Sequence, residues 1–97
     1  MKTVTDIEDA THWRADKSNK KSGITQERIY RLFEMYDTTF DDTEYWICSD
    51  NGCATMAYIT EKGQFLKDGK TTVPLLTEKE FFGLNIERKK ALMFGGY

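Results

Sequence analysis

The sequence predicts an α+β fold, a single small antiparallel sheet of three or more short strands covered by two to four helices. Three observations carry this. Ile29, Leu32, Phe33 and Tyr36 recur at i, i+3, i+4 and i+7 behind Thr25, the apolar stripe of an amphipathic helix with its cap. Thr5 with Glu8, and Thr77 with Glu80, repeat the capping-box spacing. Between them, short runs of aromatic and β-branched residues are punctuated by Asp50-Asn51-Gly52, Glu61-Lys62-Gly63 and Asp68-Gly69. Ninety-seven residues, 39% of them apolar, suffice for one compact core, so 1–97 is expected to be a single domain.

In chain order, a first helix is expected from Thr5, with Ile7, Ala10 and Trp13 or Arg14 at helical spacing. Residues 16–23, polar, basic and nearly without apolar side chains, form the loop before a second helix. That helix starts at Thr25, where Ile24 staples onto Ile29, and it ends at Asp37-Thr38-Thr39. Tyr30 and Met35 lie off the centre of its stripe and are expected to be partly exposed. A hairpin follows, with residues 44–48 and 54–59 joined by Asp50-Asn51-Gly52. Residues 64–66 and 71–73 extend it into an antiparallel meander. Thr77 caps a short helix through Phe81 and Phe82 that Gly83 stops. Residues 85–93 form a last helix or an edge strand, with helix the preferred reading.

The net charge of −2 conceals a dipole along the chain. Residues 17–31 carry five bases (Lys17, Lys20, Lys21, Arg28 and Arg31) against one acid. Residues 32–53 carry six acids (Glu34, Asp37, Asp41, Asp42, Glu44 and Asp50) and no Lys or Arg, interleaved with Phe33, Tyr36, Phe40, Tyr45 and Trp46. One-signed charge beside aromatic residues points to a field meant for a partner.

Catalytic chemistry finds little support, and no enzyme activity or cofactor is expected. His12 is the only histidine and reads as a surface or helix-packing residue. Asp41 and Asp42 are adjacent on a loop, where they do not face each other as a general acid and base would. No glycine-rich phosphate loop occurs. Cys48 and Cys53 flank a turn, lie near each other across the hairpin, and fit a reducing compartment as thiols. A zinc site on them would need two further ligands, so no metal is expected. No apolar run approaches the length that a bilayer requires, and the amino terminus lacks a signal-peptide core. A cytosolic protein is therefore expected.

The acidic segment supports two readings. Asp37, Asp41 and Asp42 are ordinary turn formers, whose side chains make local hydrogen bonds. Alternatively, Glu34, Asp37, Asp41, Asp42, Glu44 and Asp50 together form a partner-binding surface, with Phe40, Tyr45 and Trp46 as its anchors. Carboxylates spaced along a loop and hairpin stand in for successive phosphates and are attracted to a groove lined by Arg and Lys. A separate possibility is a nucleic-acid-binding accessory protein using Lys17, Lys20, Lys21, Arg28 and Arg31. The overall acidity and the pairing of aromatics with acids weigh against direct nucleic-acid binding. Self-association of the basic loop with the acidic hairpin is a third reading, against the expectation of a monomer.

On the Glu34 to Asp50 acids, and on its size and lack of enzyme motifs, the chain resembles small phage- or prophage-encoded anti-CRISPR proteins. Within that class it looks like DNA mimics that inhibit the type I-F surveillance complex. The class shares no signature motif and no common fold, so the resemblance carries over no active site. It implies a non-enzymatic inhibitor that binds the basic groove of a bacterial nucleic-acid-binding protein or ribonucleoprotein and blocks target DNA. The basic segment from Lys17 to Arg31 departs from a uniformly DNA-like surface.

Overall fold

The computed structural model describes residues 1–84 and shows a mostly antiparallel sheet rather than a sheet covered by helices. Seven strands form it: β1 (Lys2–Val4), β2 (His12–Ala15), β3 (Ile29–Asp37), β4 (Asp42–Ser49), β5 (Gly52–Thr55), β6 (Gly63–Lys67) and β7 (Leu75–Thr77). One six-residue helix, α1 (Glu78–Gly83), and two 3-10 turns, Ile7–Asp9 and Met56–Tyr58, complete the described residues. Lateral order is β1-β6-β2-β3-β4-β5, with β7 added parallel to β3. Of the expected meander, only the β4–β5 pairing holds. β6 then crosses over to lie between β1 and β2. Residues 71–73 are not a strand, and the expectation for 85–93 lies outside the described residues.

The main correction concerns the second helix, which is the central strand β3. Its burial alternates on one face in its first half and on the other in its second. Tyr30 and Leu32 enter one core with Trp13, Ala15, Ile24 and Ile47, while Phe33 and Met35 enter another with Phe81. Two period-2 alternations, offset by one residue where the buried face changes, place apolar residues at 29, 32, 33 and 36 as well as at 30 and 35. The helical stripe was that superposition. Ile29, a supposed core residue, is 46% exposed, whereas Tyr30 and Met35 are buried.

The first predicted helix is corrected in the same way. Only Ile7–Asp9 turns, and His12–Ala15 is a strand with Trp13 and Ala15 inward. Among the described residues no long helix therefore roofs the first core. Val4, Ile7, Met56, Ile59 and Phe65 pack around it instead. The second core is an aromatic stack. Phe33 lies 5.5 Å from Phe81, and Trp46 lies 5.4 Å from Phe81, centroid to centroid. Here α1 supplies Phe81 from where the capping box put a helix, with Thr77 Oγ1 accepting from the Glu80 N–H at 3.1 Å.

His12 sits in β2 and hydrogen-bonds Thr11 Oγ1 through Nδ1 at 2.8 Å. Its partial burial lowers its pKa, an effect that Asp68 opposes and that Arg31 and the amino terminus reinforce. The folded protein thus binds this proton less readily than the unfolded chain. Stability should be complete above the unfolded value near 6.5 and fall as pH drops toward the lower folded value. Denaturation midpoints between pH 7 and 5 will show that slope, and His12→Gln will flatten it.

Candidate partner-binding site

β3 starts beside the basic loop and ends at the acidic turn, about 26 Å away at strand rise. The longest dimension of the protein is 32 Å, so the dipole of the sequence becomes a dipole in space. Four residues, 38–41, join β3 to β4, and Asp37 and Asp42 close this hairpin as directly opposed partners. Asp41 occupies the left-handed region (φ 49°), which Asp tolerates better than most residues. The Tyr36 hydroxyl donates to Asp41 Oδ1. Asp37 Oδ1 accepts from the Thr39 N–H at 2.8 Å, and Asp42 Oδ1 from the Thr43 N–H at 2.9 Å. These acids are therefore turn formers, and they also present a one-signed apex. Phe40, 78% exposed, stands in its middle.

The other predicted residues separate from this tip. Glu44 points to the face of Met35, and its carboxylate accepts from Trp46 Nε1 at 3.2 Å. Trp46 is half-buried on Phe33 and Phe81, which makes it a core residue. Glu34 and Tyr45 are opposed on the other face. Burial, reinforced by the Glu34 carboxylate that it hydrogen-bonds, pushes the Tyr45 phenol up to about 12, with Glu8 and Asp9 adding to the effect. Asp50 lies at the far end, bonded to Arg28 Nη1 at 2.9 Å and to Thr25 Oγ1. It is the internal counter-ion of the basic loop rather than part of an acidic surface. Of the nine predicted residues, Asp37, Phe40, Asp41 and Asp42 share the apex, with Glu44 next along β4.

Sequence reasoning missed what the topology brings near. Glu8 and Asp9 join Glu34 around Tyr45, though they are twenty-five residues or more away in the chain. Beside the tip, Phe82 (61% exposed) lines a depression with Thr38, Thr77, Glu78 and Lys79. At the opposite end, Lys17, Lys20 and Lys62 share a cavity of about 670 Å³ with two acids, Asp16 and Glu61. Arg28 is committed to Asp50 and stacks on Tyr30, and Arg31 donates to the Thr72 carbonyl at 3.1 Å. Of the predicted five bases, Lys17 and Lys20 thus share a lysine cleft with Lys62, while Lys21 lines a separate depression with Asn51 and Cys53.

Among the described residues no three His, Cys, Asp or Glu side chains converge as metal ligands do. No helix among them is long and apolar enough to cross a membrane. The fold and its two charged ends define a small β-sheet domain with a polarised surface. No family model matches the chain, and no curated protein or solved structure shows significant similarity to it.

Proposed function

We propose that this is a non-enzymatic binding protein whose β3–β4 tip docks into the basic, nucleic-acid-binding groove of a bacterial protein or ribonucleoprotein. The specific candidate is the type I-F CRISPR surveillance complex, where the inhibitor would compete with target duplex rather than with the guide RNA. The carrying observation is Phe40, an aromatic side chain at a hairpin apex that joins neither core and is flanked by Asp37, Asp41 and Asp42. Exposed aromatics ringed by charge are the usual anchors of interfaces, and the acids steer the encounter.

The variant Asp37→Asn/Asp41→Asn/Asp42→Asn tests this, because it removes charge while keeping the turn's acceptor oxygens and a residue tolerant of positive φ at position 41. Its fold should be unchanged or more stable by up to about 1 kcal/mol, since Asp37 and Asp42 repel across the ladder. Affinity for the surveillance complex should fall at least tenfold, and its salt dependence should flatten. Phe40→Ala should cost about 2 kcal/mol of binding. A complex that holds this protein and still takes target duplex at full affinity would overturn the reading.

The lysine cleft favours a second reading, direct nucleic-acid binding through Lys17, Lys20 and Lys62. Anisotropy titrations of labelled duplex at several salt concentrations decide it, with a slope of about −0.9 per neutralised phosphate expected. Salt-independent or undetectable binding removes it.

A further inference from the structure

Cys48 and Cys53 are directly opposed across the β4–β5 hairpin, one pair out from the closing residues Ser49 and Gly52. Opposed residues of an antiparallel pair project from the same face, with Cα atoms about 4.5 or 5.5 Å apart depending on the type of pair. Both values lie within the span a disulfide bridges. Cys53 is exposed and Cys48 half-buried, so a small disulfide can reach the first thiol, and the second lies opposite it across the hairpin. Among the described residues β5 is also the outer strand of the sheet and pairs with β4 alone, which leaves it room to adjust as the sulfurs approach.

The same end of the hairpin holds the basic loop. The Asp50 N–H donates to the Gly23 carbonyl at 2.7 Å, and Asn51 Nδ2 donates to the Lys20 carbonyl at 3.1 Å. Arg28 and Thr25 reach Asp50 from the other side. Whatever stiffens this turn stiffens the segment that carries the lysine cleft.

We propose that Cys48 and Cys53 form a reversible thiol–disulfide site that locks the hairpin and, through it, the basic loop. The oxidant is a small disulfide such as oxidised glutathione. The Cys53 thiolate attacks one of its sulfurs, forming a mixed disulfide and releasing one glutathione thiolate. The Cys48 thiolate then attacks Cys53 Sγ and displaces the second. Two protein thiols lose two electrons and two protons, and the small disulfide takes them up as two thiols. Excess reduced glutathione runs the sequence backward.

The test equilibrates the full chain with oxidised and reduced glutathione, quenches with acid, and measures intact mass together with accessible thiols. The wild-type chain should become lighter by two hydrogens, lose both thiols together, and carry no glutathione. Cys48→Ser, which cannot complete the second step, should accumulate one glutathione on Cys53. A wild-type chain that accumulates the same adduct, or that keeps both thiols where Cys48→Ser is modified, overturns the site. Backbone amide exchange of residues 20–25 then reads the coupling. It should slow on oxidation of the wild-type chain and stay unchanged in Cys53→Ser under the same buffer. Exchange in the oxidised chain at the reduced rate overturns the lock on the loop.

Discussion

Alanine at Phe33 should destabilise the protein by about 3–5 kcal/mol and alanine at Met35 by about 2–5, whereas alanine at Ile29 should cost less than about 1. The ranking follows from β3 as a doubly buried strand. Phe33 is almost wholly buried and packed on Phe81 and Trp46, so its removal opens a cavity in a core that has three buried side chains among the described residues. Met35 is the third of them. Ile29 is nearly half exposed at the start of the strand. An amphipathic helix over the same residues would reverse two of these, with Ile29 central to the stripe and Met35 beside it. Denaturant midpoints at constant slope separate the two arrangements, since a domain of this size has about 5–10 kcal/mol to lose. A costly Ile29→Ala beside a neutral Met35→Ala would refute the strand.

That contrast shows where the sequence was readable. α1 was legible because its signal is local: Thr77 and Glu80 satisfy the first turn whatever else the chain does. The β4–β5 turn was legible for the same reason, although the returning strand, expected over 54–59, ends at Thr55 and gives way to the 3-10 turn Met56–Tyr58. β3 was not, because a strand buried on both faces gives up clean alternation, and residues 29–36 then match a helical period by coincidence. Thr25, taken as a helix cap, instead holds Asp50 and donates its N–H to the Tyr30 hydroxyl at 2.8 Å.

The candidate site divides along the same line. Asp37, Phe40, Asp41 and Asp42 were found as a group because one turn holds them together in the chain. Asp50 was grouped with them by proximity in sequence, yet a strand of eight residues carries it to the other end of the molecule, where Arg28 neutralises it. Glu8, Asp9 and Lys62 were missed because only the pairing of distant segments brings them to their places. Trp46 carried no mark to distinguish an interface aromatic from a core one. Its partner Phe81 is thirty-five residues away, on α1.

Gly63→Ala should cost about 3 kcal/mol, as much as the loss of a large core side chain, although the sequence presents Gly63 only as a turn residue. Gly63 opens β6 opposite Ala15, and the Trp13 indole lies directly over it. A methyl group there would overlap both the Arg14 carbonyl oxygen and the indole ring. Neither obstacle is the end of a flexible chain: the carbonyl belongs to β2, and Trp13 is 2% exposed in the centre of the first core. The backbone of β6 must therefore retreat from β2, weakening the pairing that also seats β1. Trp13→Leu should remove one of the two overlaps, so the double variant should be about 1 kcal/mol more stable than the sum of the single losses predicts. Full additivity would mean that the indole does not oppose the methyl group. A Gly63→Ala protein as stable as the parent would mean that β6 does not approach β2 this closely, and the packing of Trp13 against that pair would have to be redrawn.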